Sequence, residues 1–267
     1  MSDVYETIDV TVTGPVAHVR LHRPERRNAL SALVMSDLSQ AFERLARRTL
    51  AGVVLSGAGT AFSAGADLRE LRDVRESPDP GAAGRAVAER AKGLMARIEQ
   101  LPFPTIACVD GPAVGGGLEL ALACDTIHAG PDALFALPEP TLGLLPGFGG
   151  VRRLVDRVGP ALASEMVLTG RRIDGGEALA HGLATRLVPS AALTREAAAS
   201  LTAGAPRSRA ATALARTALR AAIGDDRETA FAEETRLYGV AFAEDDSREG
   251  IAAFLEKRPP AFASEAG

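Results

Sequence analysis

The chain has 267 residues, a formal net charge of −4 at pH 7 and a pI near 5.7. Its 46% hydrophobic content is typical of a globular fold, and its length suffices for one sizeable domain with a small appendage. The acidic balance argues against nucleic acid or an anionic membrane as the main partner, because both favour basic protein surfaces.

The start of the chain and its cysteines predict a cytoplasmic protein. Residues 1–6 lack the basic and apolar regions of a leader, and no apolar run is long enough to span a membrane. Cys108 and Cys124 lie in apolar runs, which predicts buried free thiols in a reducing compartment. The four histidines are scattered along the chain, so we expect no metal site.

The first sixty residues predict a hairpin, a helix and a third strand. Residues 4–13 and 16–21 alternate apolar and polar side chains on either side of a Gly-Pro pair, which is typical of two antiparallel strands. Ser31 is a suitable N-cap for a helix that reaches about residue 48. The apolar run at 52–56 predicts a buried strand.

The middle of the chain continues this alternation. Residues 73–85 contain proline, glycine and many charges, so they are expected to form a mobile loop that acts as a lid over a ligand. A helical pattern then runs to Leu101, and apolar runs at 105–109 and 125–129 predict two more strands. Strands that alternate with helices indicate an α/β fold with the strands buried between helical layers.

Helical patterns dominate the last hundred residues. Residues 172–183 are expected to form a helix that stops at a glycine, and residues 210–222 and 229–243 have the spacing of amphipathic helices. No residue in this part of the chain suggests catalysis by itself.

Two small-residue segments predict an anion site made of backbone groups. Gly115, Gly116 and Gly117 follow an apolar run and precede a helical pattern, which leaves bare N–H groups at a helix N-terminus. The turn at 64–66 offers a second set, and two donors from separate loops are what an oxyanion hole requires. The alternative is that the glycines serve only tight packing or a turn.

Two glutamates favour the catalytic interpretation. Glu119 lies in the first turns of the glycine-led helix, and Glu139 sits between two prolines in apolar surroundings. Acids in such surroundings have raised pKa values and can carry protons near neutral pH. Taken singly, Glu119 could instead be a carboxylate that stabilises the helix dipole, and Glu139 a solvated loop acid.

Several segments, taken in order, resemble the successive signatures of the enoyl-CoA hydratase/isomerase (crotonase) superfamily: residues 62–68, 110–120, 124–125, 135–139, 143–150 and 245–258. The resemblance covers essentially the whole chain. It implies a spiral of β-β-α repeats over residues 1–200, followed by a helical region at 201–267 that packs across a homotrimer or homohexamer.

The resemblance also implies a site and a reaction. Ala66 and Gly116 match the positions whose N–H groups hold a thioester oxygen, and Glu119 and Glu139 match both family glutamates, which favours hydration of a trans-2-enoyl-CoA. Coenzyme A would be part of the substrate, so no separate cofactor is expected. Further substrate-binding positions are implied at Ala64, Ala66, Asp67, Leu68, Arg69, Arg26, Arg27, Phe254 and Lys257. Solvated side chains are the alternative for Arg26, Arg27 and Lys257.

Other functions stay open or are disfavoured. Double-bond isomerisation needs only one acid, and dehydrating, decarboxylating or ring-forming relatives are possible, as is a non-catalytic binding protein on the same fold. A nicotinamide dehydrogenase is disfavoured because the glycines at 147–150 lack the G-x-G-x-x-G spacing. A Ser-His-Asp hydrolase is disfavoured because no G-x-S-x-G motif occurs.

Overall fold

The computed structural model describes residues 5–204 and 206–263. Within them the strands are β1 (Ile8–Thr13), β2 (Val16–Leu21), β3 (Gly52–Gly57), β4 (Thr105–Val109), β5 (Pro112–Val114), β6 (Thr126–Ala129), β7 (Leu134–Ala136), β8 (Ile173–Asp174) and β9 (Arg186–Leu187). The helices are α1 (Ala32–Ala46), α2 (Leu68–Arg75), α3 (Pro80–Glu99), α4 (Gly116–Leu122), α5 (Gly150–Thr169), α6 (Gly175–Ala180), α7 (Leu193–Thr202), α8 (Arg209–Gly224), α9 (Arg227–Ala243) and α10 (Asp245–Glu256).

Two sheets organise the core. The larger has the order β1-β2-β3-β4-β6-β9, and all its neighbours are parallel except β1 and β2. The smaller has the order β5-β7-β8, so β4 and β5, which are consecutive, belong to different sheets. Every residue of β4 is buried, as expected for a parallel strand covered on both faces. Both cysteines are buried and free.

The predicted N-terminal elements are confirmed. β1 and β2 form the antiparallel hairpin, although Val4, with which the predicted first strand began, lies outside the described residues. Ser31 caps α1, since its side chain accepts a hydrogen bond from the Val34 N–H at 3.2 Å. The buried strand predicted at 52–56 is β3.

The prediction of a mobile loop at residues 73–85 is wrong. α2 continues to Arg75 and α3 begins at Pro80, so only four residues separate the two helices. Pro80 occupies the first turn of α3, where its missing N–H costs nothing, and the Asp79 side chain caps the helix by accepting from the Ala82 N–H at 2.9 Å. The region is a helical hairpin.

A part-buried ion pair attaches the C-terminal helices to the core. Arg216 of α8 contacts Asp125 at 2.8 Å, and Asp125 also accepts from the N–H and hydroxyl of Thr105 at 2.7 and 2.9 Å. The predicted boundary after residue 200 falls inside α7, whose buried residues pack against β3 and β4. The division at that boundary stays a prediction.

Large apolar side chains remain exposed on the outer helices: Leu219, Ile223, Phe231, Tyr238, Phe242, Ile251, Phe254 and Leu255. Over the described ranges, no helix combines the length and apolar character needed to cross a membrane. Among the same residues, no group of three or more His, Cys, Asp or Glu side chains is placed to hold a metal ion.

Candidate active site

Two loops from different parts of the chain meet beside α4. Single parallel bridges join Leu30 to Ala66 and Ser63 to Ala113 of β5. Gly65 has a φ of +92°, and a Cβ there would lie 2.7 Å from the Val114 carbonyl oxygen and 3.2 Å from the Gly116 nitrogen. Only glycine permits this approach, which brings the turn at 64–66 against the start of α4.

The two predicted backbone donors are left free at this meeting point. The Leu30 N–H donates to the Gly65 carbonyl at 2.7 Å and the Gly115 N–H to the Ala136 carbonyl at 2.9 Å, so the flanking groups are satisfied. Neither the Ala66 nor the Gly116 N–H donates to another residue in the described part of the chain. A Cβ on Gly116 would lie 3.5 Å from the Ala66 nitrogen, so the two groups are neighbours.

A buried asparagine holds the first donor loop. Asn28 is 1% exposed and has a φ of +55°, and its amide donates to the Ala58 and Ala61 carbonyls at 2.9 and 2.8 Å. The Ser63 hydroxyl donates to the Asn28 carbonyl at 2.8 Å and accepts from the Gly65 N–H at 3.2 Å. Sequence reasoning missed Asn28; the only signal was the tolerance of asparagine for left-handed backbone.

Glu119 lies in the first turn of α4 and is 1% exposed. Its Oε1 accepts hydrogen bonds from the Phe148 and Gly150 N–H groups at 2.8 and 2.7 Å. Burial raises the pKa of Glu119 to about 7; the nearby Glu139 also raises it, while the two backbone donors lower it. The carboxyl group is therefore fixed in position and can exchange a proton near neutral pH.

Glu139 opens the 3-10 helix Glu139–Leu142, between Pro138 and Pro140. Burial raises its pKa, and its Oε2 is buried with no hydrogen-bond partner among the described residues. A Cβ on Gly115 would lie 2.9 Å from Glu139 Oε1, so the Glu139 carboxyl group lies against the second donor loop. An unpartnered buried carboxyl oxygen is a group available to a ligand.

A cavity of about 330 Å³ brings the two donors and the two acids together. Apolar residues of α2, α3 and the segment after Glu139 supply most of its remaining wall: Leu68, Leu71, Val74, Pro80, Val87, Ala88, Leu142, Leu144 and Leu145. A separate groove of about 480 Å³ lies between the C-terminal helices and contains neither glutamate. The arrangement in the first cavity can hold an apolar acyl chain with its carbonyl oxygen on the two N–H groups.

Of the substrate-binding positions predicted next to Ala66, two line the cavity and two do not. Ala64 and Leu68 line the cavity, and the Leu68 side chain is 60% exposed there. The Asp67 side chain instead caps α2, accepting from the Arg69 N–H at 3.2 Å, and forms an ion pair with Arg23 at 3.4 Å. The Arg69 side chain is exposed and outside the cavity lining.

The structure does not bring the remaining predicted ligands into the cavity. Arg26 and Arg27 are exposed on the loop after β2, and the Arg27 carbonyl accepts from the Ala64 N–H at 2.9 Å. Phe254, which is 83% exposed, and Lys257 lie at the end of α10. Their roles in substrate binding stay predictions.

Sequence reasoning also missed Arg153, which stabilises the turn at residues 148–150 that donates hydrogen bonds to Glu119. Its Nη1 donates to the Phe148 carbonyl at 3.1 Å, and its Nε donates to Glu99 Oε1 at 2.6 Å. The positive charge of Arg153 also lowers the pKa of Glu119, against the larger effect of burial. Arg153 therefore acts on Glu119 through both backbone geometry and charge.

Comparison with known proteins identifies the family. The sequence profile described as enoyl-CoA hydratase/isomerase matches residues 11–265. The chain belongs to the enoyl-CoA hydratase/isomerase family. It is 39% identical over 259 residues to a Mycobacterium bovis protein named "Probable enoyl-CoA hydratase", covering 97% of this chain and 98% of that protein. It is 40% identical to the 2,3-dehydroadipyl-CoA hydratase of Escherichia coli K12, covering 91% and 92%.

Solved structures of the family have the same fold. An enoyl-CoA hydratase from Mycobacterium smegmatis superposes with a TM-score of 0.88 at 32% identity, covering 96% of this chain and 99% of that one. One from Bacillus anthracis gives 0.87 at 34%, covering 97% and 100%. The predicted crotonase-like spiral is confirmed, and its two sheets, β1-β2-β3-β4-β6-β9 and β5-β7-β8, are the α/β core described above.

Proposed function

We propose that this family member is an enoyl-CoA hydratase, which adds water to the double bond of a trans-2-enoyl-CoA thioester. The observation that carries the proposal is one cavity in which two buried or half-buried glutamates face two free backbone N–H groups. An enzyme that only moved a double bond would need one proton carrier, whereas addition of water needs two groups at two carbons.

The backbone donors would stabilise the charge that develops during the reaction. As water attacks C3, electrons move through C2 and the thioester carbonyl onto its oxygen, which becomes an enolate. The Ala66 and Gly116 N–H groups, held by their loops, then donate to that oxygen. Preorganised donors of this kind act most strongly as the charge forms, and deleting one typically costs about 10²–10³ in turnover.

The two glutamates would divide the proton transfers. Glu119, anchored through Oε1, leaves Oε2 to orient water and accept its proton as the oxygen bonds to C3. Glu139 delivers a proton to C2 as the enolate collapses, so the substrate gains one hydroxide and one proton. Burial raises the pKa of both acids, and the charge of Glu139 raises the pKa of Glu119 further, so ionisation of one carboxyl group favours a proton on the other. The proposed division places that proton on Glu139 before water attacks.

The direct test follows crotonyl-CoA by loss of absorbance at the enoyl-thioester band. Activity should persist after treatment with a chelator and without nicotinamide, because every group used belongs to the chain. No loss of absorbance with short or medium trans-2-enoyl-CoAs would refute the proposal. Conversion of 3-enoyl-CoA to 2-enoyl-CoA without hydration would support isomerisation by Glu139 alone, the second candidate.

We also propose that the protein self-associates as a homotrimer or homohexamer through its outer helices. The support is the set of large apolar side chains that are exposed on α8, α9 and α10. Large exposed apolar patches commonly mark surfaces that are buried when a protein self-associates. In such an assembly Phe254 and Lys257, which lie outside the cavity of their own chain, could approach the coenzyme A of a neighbouring site.

A further inference from the structure

Arg75 places a positive charge in the part of the cavity wall that α2 and α3 otherwise build from apolar residues. It is the only basic residue among the described residues that line the cavity. It is exposed, and its side chain makes no hydrogen bond or ion pair with another described residue, whereas the Arg72 side chain on the same helix pairs with Asp73 at 3.0 Å. A guanidinium without a protein partner retains its full capacity to bind a carboxylate in two-pronged geometry.

The helix geometry directs Arg75 to the same wall as its apolar neighbours. Leu68, Leu71 and Arg75 are spaced by three and four residues, so they share one face of α2, and all three line the cavity. Arg72 is absent from the lining, as expected for a residue on another face. A charge at a helix C-terminus can also serve the helix dipole, but that role does not require the cavity-facing position.

Arg75 lies at the end of the pocket away from the reacting groups. α2 begins two residues after the Ala66 donor, and Arg75 is the last residue of the helix. Leu68 to Arg75 spans roughly 10 Å along the helix axis. Gly84, on the facing helix α3, also lines the cavity, and a Cβ added there would meet nothing within 4 Å, so the cavity has free space beside α3.

We infer that the acyl chain of the preferred substrate carries a carboxylate at its far end, which Arg75 binds. An extended chain advances roughly 1.2 Å per bond, so six to eight carbons and a carboxylate–guanidinium contact of about 2.8 Å together reach roughly 9–11 Å, which matches the span along α2. The substrate class is then a trans-2-enedioyl-CoA, whose apolar middle packs on Leu71 and Val74 while its thioester reaches the two backbone donors. This inference rests on the proposed hydration and narrows its substrate.

The kinetic test compares trans-2-hexenedioyl-CoA with trans-2-hexenoyl-CoA, which differ in the terminal carboxylate, and repeats the comparison with the eight-carbon pair. Arg75→Gln should lower kcat/KM for the dioyl substrates roughly tenfold, mostly through KM, because one charged hydrogen-bonded contact is lost. It should leave the monocarboxylic substrates within about twofold. Arg75→Lys should retain most of the preference, and Arg72→Gln, the matched control, should change neither substrate.

A binding measurement separates this inference from the proposed hydration. Calorimetry with adipyl-CoA and hexanoyl-CoA, which have no double bond, should give tighter binding of adipyl-CoA, and Arg75→Gln should remove that difference. If the preference is found but no enoyl-CoA is hydrated, the hydration proposal fails and the carboxylate site stands. Equal affinity for the two thioesters, or an equal loss of both in Arg75→Gln, would overturn the inference.

Discussion

Gly65→Ala tests whether the close approach of the two donor loops matters for catalysis. The new Cβ would lie 2.7 Å from the Val114 carbonyl oxygen, where ordinary contact begins near 3.4 Å, so the loops must separate by several tenths of an ångström. A donor misplaced by up to about 1 Å can cost on the order of 100-fold. We therefore expect kcat to fall roughly 30- to 100-fold. The positive φ adds about 1–2 kcal/mol of strain to the folded state.

Gly14→Ala is the matched control. Gly14 has a φ of +57° in the turn of the β1–β2 hairpin, and a Cβ there meets nothing within 4 Å. This variant should lose similar stability in urea titration but keep parental kcat on crotonyl-CoA. Both variants are assayed at a temperature where circular dichroism shows them folded. Parental kcat in a folded Gly65→Ala protein would refute the claim that the spacing of Ala66 and Gly116 sets the rate.

Further predictions concern the acids, Arg153 and the assembly. Glu139→Gln should abolish both hydration and exchange of the C2 proton with solvent, whereas Glu119→Gln should reduce hydration more than exchange; parental hydration in both would contradict the division of labour. Because burial raises the pKa of Glu119 from 4.5 to about 7, the folded protein holds a proton that the unfolded chain releases, so stability falls as pH rises between those values. The Glu119→Gln variant has no such proton to release, so between pH 5 and pH 8 it should lose up to about 3 kcal/mol less unfolding free energy than the parent, as measured by urea unfolding. Arg153→Gln should move the acidic limb of the kcat/KM profile to higher pH, and Arg153→Lys should largely restore it; an unshifted profile would leave Arg153 a merely structural role. Light scattering should give a trimer or hexamer, and truncation after Gly224 should yield smaller species; a monomeric full chain at micromolar concentration would rule out the assembly.

The elements predicted from sequence were those whose signals are local. β1 to β4 have clear apolar patterns, and Ser31 is a recognisable cap. β8 and β9 are two residues long, too short for any periodicity to register. Residues 73–85 have the proline, glycine and charge content of a loop, but Pro80 lies in the first turn of α3, where proline is favourable.

The site residues also differ in whether their role is visible from the local sequence. The glycine-rich donor segments and both glutamates stand in short stretches whose residue types already indicate a role. Asn28 and Arg153 do not, because their partners are distant in sequence: Asn28 bonds carbonyls 30 and 33 residues away, and Arg153 bonds a glutamate 54 residues away. Arg75 is recognisable only once α2 and the cavity are placed, since the sequence surrounds it with other charges.

Because α2 and α3 supply side chains to the acyl wall and not the backbone donors, substrate specificity and catalysis can change independently. The atoms that hold the thioester oxygen are main-chain atoms of loops fixed to the sheets, so most side-chain replacements leave them in place. Much of the apolar wall is built from side chains of one contiguous stretch, residues 68–88, and Leu142, Leu144 and Leu145 complete it. A new acyl specificity can therefore be acquired by substitutions or exchange within about twenty residues, while the reaction itself is inherited unchanged.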